Sequence, residues 1–388
     1  MWLRYGVDGN NKLIEIENVA SGKTNLICPY CGKALIAKKG KVKEHHFAHN
    51  GETCSVIIKR KPRDIPYLPL YDAFNIFLTG KELEQLKKLW HRHKAHGHGV
   101  DRLEILPAFT RENLVETAPN ISDATGRNTY QFTNLGLIPI GVLPLALFNP
   151  LHESLIEQKL TQLETAIFTN SGSVLPRDEL QIRLTDLRIY SAQMRKILLA
   201  SLYYLKVQAD EKILYKIGIT TRPMPKRLAE IYRDLTSHYQ TVEIEVQGIW
   251  EHRGNVERYF KYRYCDFNYP IGTLTEYFNF TNPDETKAVE RDLSQMQAKV
   301  LSPVEQGIVD GKPDEFLAAL LTDEQMKTGN VQVSDRVIAK LKQAFLTKPS
   351  SQQLITALHQ GASLREAAVM VFVSVETARK VLAVMQKQ

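Results

Sequence analysis

Between Tyr203 and Phe280 the residues change character in a set order: the β-rich runs SLYYLKV and ILYKIGI, then PMPKRLAEIYRDL, TVEIEVQGIW, NVERYFKYRY and GTLTEYF. The first two runs are separated by a short stretch containing Ala209-Asp210-Glu211-Lys212, which predicts a hairpin. In PMPKRLAEIYRDL, Leu228, Ile231 and Leu235 recur at helical spacing while Arg227 turns to another face. TVEIEVQGIW reads as a further strand and NVERYFKYRY as a helix carrying Glu257. An apolar helical stripe next to a hairpin has to be buried against it, so this stretch predicts an α/β unit.

The chain of 388 residues exceeds what one small core organises, so several domains are expected. With 43% hydrophobic and 24% charged residues it has the composition of a folded protein. No apolar run is long enough to cross a bilayer. The nearest, LGLIPIGVLPLALF (Leu135 to Phe148), is broken by Pro139 and Pro144 and reads as buried loop and strand. MWLRYGVDGNNKLIEI lacks the regions of a secretory signal, which places the chain in the cytoplasm and makes its four cysteines metal ligands or thiols, not disulfides. The net charge of +7 favours polyanionic partners.

Residues 1–61 alternate apolar and polar positions (Leu13, Ile14, Ile16; Leu35, Ile36) between turn signals at Asp8-Gly9, Cys31-Gly32 and Asn50-Gly51, as a small β-rich module would. Within it lie CPYCGK (Cys28, Cys31), EHHFAH (His45, His46, His49) and Cys54. Two cysteines parted by two residues form a knuckle whose thiolates reach one ion, and two later ligands complete a tetrahedron. Cys28, Cys31, His49 and Cys54 are the most economical set for Zn²⁺; His46 competes for the histidine place because the register of EHHFAH is open. Four filled positions leave no place for water, so this zinc is structural. Lysines and arginines from Arg4 to Arg63 outnumber the acidic residues here, in keeping with phosphate contact. The stretch CPYCGKALIAKKGKVKEHHFAH resembles the N-terminal zinc-ribbon-like element of competence-protein CoiA-like proteins, which implies an association with DNA processing and transfers no catalytic residue.

Residues 62–195 read as a mostly helical region of unknown role. KELEQLKKLWHRHKAHG aligns Leu83, Leu86 and Trp90, and LHESLIEQKLTQLETAIF aligns Leu151, Leu155, Ile156, Leu160, Leu163 and Ile167. His91, His93, His96 and His98 fall on the polar side and at the end of the first helix, where a solvated basic terminus suits the helix dipole.

Residues 286–330 read as linker and helices, with Pro303 and Pro313 as breaks. Residues 331–388 hold successive helical patterns. Ser334 opens SDRVIAKLKQAFL, Gly361 stops SQQLITALHQ, Ser363 and Glu366 form a capping box for LREAAVMV, and Ser374 caps VETARKVLAVM. This spacing resembles the DNA-binding helix-turn-helix units of resolvases and repressors, with the small Ala367 and Ala368 at the packing point. The resemblance puts Val375, Glu376, Thr377, Arg379 and Lys380 on the helix that enters the major groove. Phe372 stands where that turn usually has a left-handed glycine, a strain of roughly 1–2 kcal/mol.

In residue order, the segment 196–285 resembles the GIY-YIG nuclease superfamily, in particular its divergent phage-type members whose second motif reads KIGIT. By that resemblance Tyr203 takes the place of the first-motif tyrosine and Gly218 that of the second-motif glycine. Arg227 matches the catalytic arginine and Glu257 the metal-binding glutamate. The second-motif tyrosine position holds Lys216, while Tyr215, one residue earlier, faces the other side of the strand. Asn268 and Asn279 are candidates for a late asparagine, and Glu276 reads as a tie between the last strand and the core.

The resemblance implies phosphodiester hydrolysis. Tyr203 would orient or deprotonate the attacking water, Arg227 and Lys216 would contact phosphate, and Glu257 would hold Mg²⁺ (or Mn²⁺). Gly218 would let the backbone approach the substrate. The expectation is therefore a multidomain α+β chain: zinc-binding β element, helical middle, GIY-YIG-like α/β nuclease domain and helix-turn-helix bundle. Its expected activity is that of a divalent-metal-dependent DNA endonuclease. Lys216 and Phe372 motivate the alternative, a catalytically degenerate DNA-binding regulator that keeps the nuclease fold.

Overall fold

The computed structural model describes residues 3–40, 45–59, 80–96, 99–122, 128–143, 148–254, 256–296, 298–312, 335–371 and 373–387. His98, Pro313, Ser334 and Phe372 lie outside the described residues. The N-terminal elements are β1 (Tyr5–Val7), β2 (Leu13–Glu15), β3 (Gly22–Ile27), β4 (Ala34–Lys38), β5 (His46–His49) and α1 (Ser55–Lys59). Next come α2 (Gly80–His96), α3 (Pro107–Arg111), β6 (Val115–Ser122), β7 (Asn128–Phe132), α4 (Asn134–Leu137), α5 (Phe148–Thr165) and α6 (Arg177–Leu198). The third group is β8 (Ser201–Ala209), β9 (Lys212–Thr220), α7 (Met224–Thr236), β10 (Val242–Trp250), α8 (Glu257–Arg263) and β11 (Tyr277–Phe278). The chain closes with α9 (Pro283–Ser294), α10 (Pro303–Val309), α11 (Asp335–Leu346), α12 (Pro349–His359), α13 (Leu364–Met370) and α14 (Val375–Gln386). This is the mixed α+β composition expected, with a small β-sheet region first and a helical part last. Among the described residues no helix is long and apolar enough to cross a membrane.

The chain divides into two compact units, Met1–Leu68 with Ser154–Arg195 and Pro303–Gln388, and Pro69–Glu153 with Lys196–Ser302. In the first, antiparallel pairing sets the strand order β2-β1-β3-β4-β5. Tyr5, Leu26, Leu35 and Phe47 pack together with Ile189 of α6 in the core of this sheet. Tyr30 Oη donates to Asp186 Oδ1 at 2.8 Å, so the knuckle that carries the cysteines is tied to the same helix. Farther along the chain, Phe168 meets Phe345 of α11 at 5.0 Å. Gly172 lies at φ +77°, and a Cβ there would come within 2.3 Å of the Ala383 carbonyl oxygen, so only glycine lets this turn rest on α14. The capping box of Ser363 and Glu366 and the Ser374 cap form as expected.

In the second unit the sheet order is β10-β8-β9-β11. Asp210 occupies the hairpin turn at φ 51° and accepts backbone hydrogen bonds from Gln240 and Thr241 through Oδ1. Registry places Tyr203 opposite Gly218 and Leu205 opposite Lys216. Alternation then divides the sheet. Tyr203, Leu205, Val207 and Leu214 pack with Ile231 and Leu235 of α7, and Tyr204 stacks on Tyr215 at 5.7 Å and approaches Phe260 of α8 at 6.1 Å.

Two expectations change in the middle of the chain. Of the stretch read as loop and strand, Leu135–Leu137 belong to α4, because Thr133 Oγ1 accepts from Gly136 N at 3.0 Å and starts a helical turn, and residues 144–147 lie outside the described residues. The hairpin β6–β7 stands among the helices of this region. His93 is packed, its ring 5.9 Å from Trp90 and 6.0 Å from Phe132.

Removing the Tyr30 hydroxyl leaves the Asp186 carboxylate without this partner. Tyr30→Phe is expected to destabilise the N-terminal unit by about 1.5–3 kcal/mol, seen as a lower urea midpoint for the transition that releases it.

Candidate functional site

Tyr203 sits mid-strand in β8 with its ring fully buried, and its hydroxyl ends against Gly218 of β9, where an added Cβ would lie 2.3 Å from Oη. The bare backbone of Gly218 is thus the space the phenol occupies. Arg227 stands in the first turns of α7, whose Ile231 and Leu235 anchor that helix to the sheet. Arg227 Nε donates to Tyr203 Oη at 3.2 Å, and NH1 reaches Glu230 Oε2 at 3.2 Å.

Beside this pair runs a chain of alternating charges. Lys216, two residues before Gly218 and so on the same face, donates to Glu276 Oε2 at 2.7 Å with its ammonium over the Tyr277 ring. Glu276 Oε1 accepts from Lys261 at 2.9 Å, and Lys261 lies 3.0 Å from Glu257 Oε1, one turn earlier on α8. The side chain of Lys216 is only 5% exposed, so its charge persists only through this pairing.

The fields in this cluster oppose one another. Burial pushes the Tyr203 hydroxyl up to about 12 against the pull of Arg227, and the Glu276 and Glu257 charges add to the rise. Those two carboxylates therefore act on the same hydroxyl that Arg227 binds. Burial raises the Glu276 carboxyl, but Lys216 and Lys261 outweigh it and hold it down to about 2. Burial lowers the Lys216 ammonium against the attraction of Glu276. Arg227 moves up: burial works against its charge, and the hydrogen bonds to Tyr203 and Glu230 prevail.

Of the residues expected from the sequence, Tyr203, Gly218 and Arg227 meet at one point, and Lys216 and Glu257 join through Glu276 and Lys261. Tyr215 lies on the opposite face, between Tyr204 and Phe280. Asn268 spends its amide on the carbonyls of Thr275 and Tyr277. Glu276 is a tie as expected, though between two lysines. Lys261 was not anticipated; its signal was the Glu257-Lys261 spacing of four on a helix, which pairs opposite charges. For a divalent ion the donor set offers Glu257 as one carboxylate beside an ammonium, which fits a hard ion that keeps most of its waters.

In the N-terminal unit the ligand atoms of Cys28, Cys31, His49 and Cys54 all lie within 4.8 Å of one another. Bonds of about 2.3 Å to a tetrahedral zinc would set neighbouring sulfurs ~3.8 Å apart, so a small contraction closes the site. Strand alternation decides the histidine: Phe47 and His49 face inward on β5, and His46 projects from its other side. Gly32, at φ +70°, turns the knuckle and returns its N–H to the Cys28 carbonyl at 2.9 Å. Burial pushes the Cys28 thiol up to about 12 and also raises Cys54, so the thiolate cluster requires a bound cation. This four-residue cluster is fit for zinc.

On α14, Arg379 is exposed and Lys380 lies 3.6 Å from Glu376. Thr377 is 5% exposed, with its hydroxyl 2.9 Å from Ser374 Oγ; it supports the helix start and does not reach the outer surface.

Residues 200–294 match the T5orf172 domain. Residues 10–57 match the N-terminal domain of competence protein CoiA. The first match spans the sheet β10-β8-β9-β11 with α7, α8 and α9, and therefore every residue of the charged cluster; the second contains the four zinc-fit ligands. No curated protein and no solved structure matches the chain. These domains point to a role in nucleic-acid processing.

Two outcomes follow from this geometry. The purified chain is expected to carry Zn²⁺ in proportion to intact Cys28, and strong chelation should lower the melting temperature of the wild type and leave Cys28→Ser unaffected, which metal analysis with calorimetry will check. Gly218→Ala should displace the Tyr203 ring and break its bond to Arg227, visible as a shift of tyrosine resonances in a chain that remains folded.

Proposed function

We propose that this protein is a divalent-metal-dependent DNA endonuclease of GIY-YIG type, with its catalytic centre at Tyr203, Lys216, Gly218, Arg227 and Glu257. The observation that carries the reading is the 3.2 Å bond from Arg227 to Tyr203 at the glycine-bare strand, inside the T5orf172 match and within the field of Glu257. The N-terminal zinc element and the C-terminal helices, read as a helix-turn-helix with Arg379 outward and Lys380 largely covered beside Glu376, supply affinity for the polyanion.

A phenol that ionises near 12 is protonated at neutral pH, and Arg227 already occupies one lone pair of its oxygen. Tyr203 therefore acts by donating its O–H, orienting the attacking water or a phosphoryl oxygen, and is not itself the base. Arg227, held by Glu230 and Tyr203, turns its remaining N–H groups to the phosphate, where negative charge gathers as the P–O bond breaks. Lys216 fixes Glu276 and adds positive potential behind the phosphate. A divalent ion on Glu257, when bound, would acidify water and neutralise the leaving oxygen. Gly218 leaves its room to the Tyr203 phenol and not to the sugar-phosphate strand, so its part is to seat the hydroxyl against Arg227.

Purified wild type should cleave or nick DNA with Mg²⁺ or Mn²⁺, tested on single-stranded, duplex and branched substrates. Arg227→Ala and Glu257→Ala are each expected to lower the rate by about 10²-fold or more while DNA binding persists. In Tyr203→Phe the rate should fall by about 10²-fold, and the wild-type profile should contain no tyrosine ionisation near neutral pH. Absence of cleavage above the Arg227→Ala/Glu257→Ala double variant would leave the second reading, a DNA-binding regulator on a nuclease scaffold. The pairing of the buried Lys216 with Glu276 favours that reading, because it fills the place of the second-motif tyrosine with an ion pair.

A further inference from the structure

Glu257 is the carboxylate available to an ion in the cluster, yet its Oε1 already has a cation 3.0 Å away in Lys261. The same ammonium lies 2.9 Å from Glu276 Oε1. Lys261 thus has two carboxylates within bonding distance at once. Glu276, in turn, keeps its other oxygen on Lys216 at 2.7 Å whatever Lys261 does. The side chain of Glu257 is 13% exposed, so its charge is largely withdrawn from water and needs a counter-charge at all times. Lys261 is 30% exposed and sits at the end of a flexible stem, able to shift its ammonium without moving α8.

We propose, on the basis of the endonuclease reading, that Lys261 is a placeholder for the divalent ion. It neutralises Glu257 in the resting protein, yields the Glu257 oxygens when an ion binds, and stays on Glu276 alone. Glu276 is then a positioning residue with two duties: it holds Lys216 under the phosphate site and gives Lys261 somewhere to go. Each carboxylate keeps a cationic partner through the exchange, since Glu257 passes from the ammonium to the ion and Lys261 stays on Glu276, while the ion adds its own two positive charges to a cluster that is otherwise neutral. The arrangement keeps the site ordered without an ion, at the expense of ion affinity, because every binding event competes with an ammonium already in place.

The test is calorimetric titration of Mn²⁺ into the zinc-loaded full chain, with no nucleic acid and no turnover. Lys261→Met removes the competitor and should tighten Mn²⁺ binding about two- to fivefold, the range an ion pair of this exposure sets. Glu276→Gln confines the ammonium to Glu257 and should weaken binding by a similar factor. The double variant should bind at least as tightly as wild type. Should Lys261→Met fail to fold by circular dichroism, the Glu276→Gln titration decides. Unchanged or weaker binding in a folded Lys261→Met, or no weakening in Glu276→Gln, overturns the placeholder while Glu257→Gln still abolishes Mn²⁺ binding and the endonuclease reading stands. Persistence of Mn²⁺ binding in Glu257→Gln overturns both the placeholder and the assignment of Glu257 as ion ligand.

Discussion

A lysine ammonium inside a β-sheet is an unstable proposition unless something meets it, and Lys216 is met by Glu276 at 2.7 Å. Much of the site geometry hangs on that pairing. It draws Glu276, just ahead of β11, toward β9, and it presents the second carboxylate oxygen to Lys261 on α8. Burying the Lys216 ammonium carries a desolvation cost that its attraction to the partly exposed Glu276 only partly offsets. Its retention is therefore better explained by the position it gives to neighbouring groups than by net stability. Those neighbours are Tyr203 and Arg227 on one side and Glu257 on the other.

The elements of the segment from β8 to β11 were readable because their periods are strong: two alternating runs, a helical stripe at Leu228, Ile231 and Leu235, and a further strand. Alternation alone placed Tyr215 away from Lys216, and stacking with Tyr204 on the far face agrees. The metal cluster was legible from its knuckle spacing, and the choice between His46 and His49 awaited a register that only strand pairing supplies. The role of Lys261 was not readable in full, because helical spacing foretells its bond to Glu257 but not the meeting with Glu276, which depends on where β11 docks.

The middle of the chain resisted for a different reason. The hairpin β6–β7 contains Ala118, Pro119 and Asn120, residues with weak strand preference, and they fall where the register shifts between the paired Thr117 and Ser122. Thr133 turned an apolar run into a short helix through one side-chain hydrogen bond, a local effect that hydrophobic patterning does not register. His93 was assigned to water by its polar neighbours, yet Trp90 and Phe132 enclose its ring.

Asp210 closes the β8–β9 hairpin while its carboxylate is bolted to the backbone of Gln240 and Thr241, just ahead of β10. That bolt bears on heredity as much as on mechanics. Side chains alternate between faces, so a one-residue slip of β8 would send Tyr204 to the helix α7 side and Tyr203 to the aromatic side, exchanging two tyrosines of identical chemistry but opposite surroundings. Length changes in this lineage should accordingly collect in the connections outside the hairpin, while the distance from Tyr203 to Gly218 stays constant.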